Sequence, residues 1–283
     1  MKTRAQHYSV NKIQLHTVEA GPTSGNTILF LHGFPEFWYG WKNQLAFFAA
    51  QGWHAVAPDQ RGYNLSSKPT GVEAYTIDQL TQDVVELIPQ VSQGKVVLVG
   101  HDWGGAVAWN IALKYPHLLD KLVILNMPHP KVAHHHLTHN PKQMLRSWYT
   151  GFFQIPWVPE TVSSSFDFKL LESSMTGSAR SNAFSPAEME GYRTAWEQPD
   201  ALEAMINWYR AYKYNPIEAD QKVQVPTRMI WGKQDKFLGT ELAQPSIEQC
   251  AHGELIFLEE ATHWLHHEFP EKVNQLIYEF AQS

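Results

Sequence analysis

Apolar and polar positions along the chain follow two rhythms. The runs Thr27-Ile28-Leu29-Phe30-Leu31, Ala55-Val56-Ala57, Lys95-Val96-Val97-Leu98-Val99 and Lys121-Leu122-Val123-Ile124-Leu125 are almost wholly apolar, and turn residues such as Gly33, Pro58, Gly100 and Asn126 follow them. Runs of this kind predict strands buried on both faces. Between them apolar residues recur at helical spacing: Ile77, Leu80, Val84, Leu87 and Ile88 predict a helix over Ile77–Val91. Strands alternating with helices predict an α/β fold built on a mostly parallel sheet, with ligand chemistry at the carboxyl ends of the strands.

After Pro128 the rhythm changes. Residues 141–215 carry no buried-strand pattern, whereas 144–153, 186–196 and 200–212 read as helical. Ser185-Pro186-Ala187-Glu188 is a helix start: Ser caps, Pro occupies the first turn and Glu completes a capping box. The strand rhythm resumes with Thr227-Arg228-Met229-Ile230-Trp231 and Leu255-Ile256-Phe257-Leu258, and a terminal helix is expected from 270 to about 281. The expected organisation is one α/β core, residues 1–128 and 216–283, with a helical cap inserted over 129–215.

Charge and cysteine usage narrow the function classes. Lys and Arg total 22 against 28 Asp and Glu, and this acidic excess argues against nucleic-acid binding, which needs a concentrated basic surface. The single cysteine, Cys250, cannot close an intrachain disulfide, so nothing asks for an oxidising compartment. The polar start lacks the apolar stretch of a signal peptide, and no run approaches the ~18–20 apolar residues that cross a bilayer. A soluble, cytoplasmic protein with no membrane partner is expected.

Candidate chemistry concentrates at four strand ends. Gly100-His101-Asp102-Trp103-Gly104-Gly105 follows a strand and precedes a helix, with small residues two before and two after Asp102. That spacing marks a nucleophile elbow, a turn so tight that larger side chains would collide. Its usual nucleophile is Ser; here it is Asp102. A helix-capping Asp is the plainer reading of the position taken alone. The partners decide against it: Asp235 lies just past the Thr227–Trp231 run, and His263 just past the last one. Asp120 precedes its strand, Asn126 is not ionisable, and His266 and His267, nearer the final helix, are expected to face solvent. In His32-Gly33-Phe34-Pro35 the Phe34 N–H, together with the Trp103 N–H, is placed to stabilise developing negative charge.

These motifs, with Asp59-Gln60-Arg61-Gly62-Tyr63, Asn207-Trp208-Tyr209-Arg210 and His263-Trp264, span essentially the whole chain and resemble soluble epoxide hydrolases of the α/β-hydrolase fold. In that family two cap tyrosines hold the epoxide oxygen. The resemblance implies Tyr209, from the Asn-Trp-Tyr-Arg motif, and Tyr149, four residues before the Phe153-Gln154 pair. Asn64 stands where the family more often has Gly, a departure that touches only a turn.

The implied reaction runs in two steps. Asp102 attacks a ring carbon as an already ionised carboxylate, Tyr149 and Tyr209 assist the opening oxygen, and His263, steadied by Asp235, activates water to cleave the ester. The substrate partner is a small epoxide, and no metal or organic cofactor is required. Trp38, Trp103 and Phe153 are the candidate substrate-lining side chains, although Trp38 and Trp41 suit a core equally well. His134-His135-His136 is read as a solvated loop, since three adjacent imidazoles do not easily converge on one ion. A dehalogenase with the same Asp nucleophile is the nearest alternative. Haloalkane dehalogenases, however, carry Asn where this chain has Phe34, and fluoroacetate dehalogenases carry Arg where it has Trp103. A Ser-type esterase is contradicted by Asp102, and a non-catalytic binding module by the intact nucleophile, acid and histidine.

Overall fold

The structure is a computed structural model and describes residues 2–215 and 221–283. Its centre is an eight-stranded sheet comprising β1 (Thr3–Val10), β2 (Ile13–Ala20), β3 (Thr27–Leu31), β4 (His54–Pro58), β5 (Val96–His101), β6 (Leu119–Leu125), β7 (Thr227–Gly232) and β8 (Gly253–Leu258). The spatial order is β1-β2-β4-β3-β5-β6-β7-β8, antiparallel at β1/β2 and β2/β4 and parallel elsewhere. The apolar runs form the central strands for the expected reason. In β3, Ile28 and Phe30 point into one core cluster and Leu29 and Leu31 into the other, so both faces demand apolar side chains.

Helices cover both faces. α1 (Lys42–Ala50) and the terminal α12 (Pro270–Gln282) bury Leu45, Phe48, Leu276, Ile277 and Phe280 on one side. On the other, α2 (Ile77–Val91) and α3 (Trp103–Lys114) bury Leu80, Val84, Leu87, Val107 and Ile111. α2 has the bounds that its spacing predicts.

The chain leaves β3 for β4 on one side and returns through β5 on the other, so the order reverses between β3 and β5. Such a switch point opens a crevice at the strand ends. Register pairs Leu31 with Gly100, which sets the His32–Pro35 turn directly beside the elbow.

Residues 130–214 form helices joined by turns, with no strand among them: α4 (Pro130–His139), α5 (Pro141–Arg146), α6 (Trp148–Phe152), α7 (Val158–Ser178, interrupted at 165–168), α8 (Pro186–Trp196) and α9 (Ala201–Ala211). The Ser185–Glu188 capping box is present in both directions. Two expectations need correction. The stretch 144–153 is not one helix, because Ser147 separates α5 from α6. His134, His135 and His136 are not in a loop; they lie within α4, which Pro130 opens and His129 caps. The expected boundary at 215/216 runs into 216–220, outside the described residues.

Candidate active site

Asp102 sits at φ 49°, ψ −126°, between β5 and α3. Left-handed φ is costly for a residue with a Cβ, and the surrounding glycines make the turn possible. A Cβ on Gly104 would fall 2.2 Å from the Leu31 carbonyl oxygen, and one on Gly33 would fall 2.3 Å from the Asp102 Cβ. The two loops therefore touch across the switch point. The Phe34 N–H donates to Asp102 Oδ1 at 2.9 Å, and Trp103 opens α3, whose first N–H groups lack intrahelical partners.

His263 and Asp235 arrive from the loops after β8 and β7. His263 Nδ1 donates to Asp235 Oδ2 at 2.8 Å, and its Nε2 lies 3.5 Å from Asp102 Oδ2. Asp235 is buried but fully hydrogen-bonded. Its Oδ1 accepts from the Phe237 and Leu238 N–H groups at 2.7 and 3.0 Å, and its Oδ2 also accepts from Asn126 Nδ2 at 2.5 Å. Asn126, with φ 42°, further accepts the Gly232 N–H. Sequence reading noted Asn126 as non-ionisable and missed this positioning role. The signal was its place directly after β6, at the same sheet edge as the acid.

Charge follows from this packing. Burial acts to lower the His263 pKa, but Asp235 and Asp102 outweigh it and push the imidazole up to about 10. Burial acts to raise both carboxyls. For Asp102 the His263 bond and charge, His101 and the Phe34 N–H prevail and lower it; for Asp235, His263, the Leu238 N–H and Asn126 do so. At rest the site holds two carboxylates around one imidazolium.

Tyr149 and Tyr209 face this group from the helical segment. Their rings lie 5.9 Å apart by centroid, and Tyr209 packs edge-on to Trp103 at 5.1 Å and to Phe34 at 5.2 Å. Burial first, and then the Asp102 charge among other groups, raises both phenols above their ordinary range, so each is a neutral O–H donor at working pH. The Asn207-Trp208-Tyr209-Arg210 motif explains the pairing. Trp208 Nε1 donates to the Arg61 carbonyl at 2.9 Å, anchoring α9 to the core. Arg210 donates to the Phe153 and Ile155 carbonyls at 3.0 and 2.9 Å, and Gln154 donates back to the Tyr209 carbonyl at 3.0 Å. These bonds tie α6, with Tyr149, to α9, with Tyr209.

Phe153 packs 4.8 Å from the Tyr209 ring and 5.5 Å from Phe34, within the aromatic group. The Trp38 ring packs against Phe37 and Tyr39, and Trp41 is fully buried in the core. Phe237, which sequence reading did not single out, stands between Tyr149 (5.9 Å) and His263 (5.2 Å). Asn64 adopts φ 41°, the conformation that explains a preference for Gly, and its amide donates to Asp59 Oδ2 at 2.8 Å. His266 and His267 do not face solvent: they are 0 % and 8 % exposed, gathered with His101 around the buried Glu36.

Comparison with known proteins agrees with this fold. The family model described as alpha/beta hydrolase fold matches residues 26–270. The chain is 45 % identical over 281 residues to the AB hydrolase superfamily protein YfhM of Bacillus subtilis, covering 99 % of this chain and 98 % of that one. It is 39 % identical to human epoxide hydrolase 4, covering 96 % of this chain and 76 % of the relative. Among solved structures, an inhibitor-bound epoxide hydrolase from Bacillus megaterium superposes with a TM-score of 0.89 at 31 % identity, covering 98 % of this chain and 100 % of that one.

Proposed function

The chain belongs to the α/β-hydrolase fold family, among relatives that are epoxide hydrolases, and on that premise we propose that it hydrolyses small epoxides to vicinal diols through an ester on Asp102. The observation that carries this reading is a carboxylate at the elbow, Asp102, with the Tyr209 ring packed on its neighbours Trp103 and Phe34 and the Tyr149 ring beside Tyr209. A saturated ring carbon is opened by displacement, and a carboxylate attacks it with no proton to lose.

In the first step an Asp102 oxygen bonds to one ring carbon while that carbon's bond to the ring oxygen breaks. The released oxygen stays on the neighbouring carbon and takes a proton from Tyr149 or Tyr209, help worth roughly 10²–10⁴ in rate. Esterification removes the Asp102 charge, one of the influences that raise the His263 pKa. The imidazole can then give up its proton, which restores the phenol that protonated the opened oxygen, and act as base. In the second step His263, oriented by Asp235, takes a proton from water as that water adds to the ester carbonyl carbon. The Phe34 and Trp103 N–H groups hold the oxyanion. Collapse expels the diol and restores Asp102. Phe153, Trp103 and Trp38 are assigned to the substrate space, a reading supported for Phe153 and Trp103 by their ring contacts with Phe34 and Tyr209.

We assign residues 129–215 to a cap over a core formed by the remainder, a division supported by the helical run and by Trp208 and Trp196 donating to core carbonyls. No helix among the described residues is long and apolar enough to cross a membrane. Cys250 is buried and unpaired, which suits a cytoplasmic setting.

Styrene oxide and a bromoalkane, offered side by side, test the reading. Diol should form from the epoxide, slowed about 100-fold or more by Tyr209→Phe. Bromide release without diol formation would overturn it.

A further inference from the structure

A second group of ionisable side chains lies one hydrogen bond behind the triad. His101 Nε2 bonds the His263 carbonyl oxygen at 2.9 Å, and its Nδ1 lies 3.3 Å from Glu36 Oε2. Glu36 is 1 % exposed. Its Oε1 accepts from the Tyr192 hydroxyl at 2.8 Å and from His267 Nε2 at 2.6 Å. Its Oε2 has His266 Nε2 at 3.2 Å, yet neither Oε2 nor either His266 ring nitrogen makes a well-formed hydrogen bond.

Hydrogen accounting makes this arrangement anomalous. A carbonyl oxygen only accepts, so His101 must carry its hydrogen on Nε2. That leaves Nδ1 facing a carboxylate oxygen across 3.3 Å, and Nδ1 too has no hydrogen-bond partner. Lone pairs converging on a buried carboxylate are unfavourable unless a cation sits among them.

We propose that Glu36, His266 and His267 ligate one transition-metal ion of the zinc class, with His101 Nδ1 as the fourth donor. The ligand atoms of Glu36, His266 and His267 all lie within 4.8 Å of one another. Zinc bonds of about 2.0–2.1 Å in a tetrahedron set neighbouring donors about 3.3 Å apart. The Glu36 Oε2 separations from His266 and His101 are 3.2 and 3.3 Å. Three imidazoles and one carboxylate favour zinc, cobalt, nickel or copper; magnesium and calcium prefer oxygen-rich shells. His267 would exchange its hydrogen bond to Oε1 for the metal, leaving Tyr192 on that oxygen. The ion would fasten the turn after β3, which carries Glu36, to α11 (Leu265–Glu268) just past His263. Its role would be structural, and the two-step hydrolysis runs without it.

Metal content tests this without any epoxide, so its outcome is independent of the hydrolase reading. Protein made without a polyhistidine tag is analysed for bound metals. It is also unfolded with a chelator, freed of it, and refolded with Co²⁺ or Zn²⁺. We expect one ion per chain and a tetrahedral Co²⁺ absorption spectrum. His266→Gln and, separately, His267→Gln should weaken binding about 100-fold in competition with a chromophoric chelator, each checked for folding by circular dichroism. Replacing the exposed His135 and His139 with Ala should leave binding intact. Absence of bound metal from both native and refolded wild-type protein would overturn the proposal and leave a proton as the cation. Binding lost with His135 and His139 but kept in the Gln variants would overturn it equally.

Discussion

His263 stands between two carboxylates, 2.8 Å from Asp235 and 3.5 Å from Asp102, and its protonation couples chemistry to stability. Its pKa of about 10 in the folded chain lies above the ordinary value of about 6.5 expected on unfolding. A raised imidazole pKa contributes stability that is fully present below about pH 6.5 and is lost as pH rises through about 10. The melting temperature should therefore fall over that window. Asp102→Asn, which removes one of the two charges, should lower the His263 pKa measured by NMR and flatten the fall. An unchanged pKa in that variant would contradict the proposed activation of His263 by ester formation.

The residues legible in the sequence were those that a strand end locates. Asp102, Asp235 and His263 each follow an apolar run, and the structure brings them within hydrogen-bonding range or just beyond it. Asn126 was passed over because an amide shows its value only once its two partners, Asp235 and the Gly232 N–H, are in place. His266 and His267 were misread because their place near the final helix suggested solvent. A buried carboxylate supplied from more than 200 positions away is invisible to local pattern, and Glu36 is that carboxylate.

At the scale of elements, strands that form an apolar run and helices with amphipathic spacing were readable, the partly exposed β8 among them, whereas β1 and the buried but polar-interrupted β2 were not. β1 has only Val10 fully buried, so it shows no apolar run, and it forms against β2 through pairing rather than burial. α2 was readable to its ends from its apolar spacing, and α8 from its capping box. The α6–α9 contact carries a functional consequence. Arg210 holds the Phe153 and Ile155 carbonyls and pairs with Glu160, fixing Tyr149 relative to Tyr209. Arg210→Met should slow epoxide opening by up to about 100-fold, because misplacing a positioned group by an ångström costs that much. Stopped-flow measurement should find ester formation slowed and ester hydrolysis little changed; equal slowing of both steps would count against a tyrosine-positioning role.

For the whole molecule, the order of the strands matters more than their number. Reversal between β3 and β5 puts the Phe34 turn beside the elbow, while β7 and β8, next along the sheet past β6, deliver Asp235 and His263 to the same edge. The helical segment then brings the phenols over that edge, latched by Trp208 on Arg61 and Trp196 on Pro35. Fold class followed from the alternation of strand and helix patterns. Strand order did not, because it is set by crossovers between segments far apart in the chain. What the assembled molecule does is tested most directly by a single turnover in ¹⁸O-labelled water with enzyme in excess over an epoxide. The account predicts an unlabelled diol and one heavy oxygen in the peptide that contains Asp102. Heavy oxygen in the diol of that first turnover, with the peptide unlabelled, would contradict it.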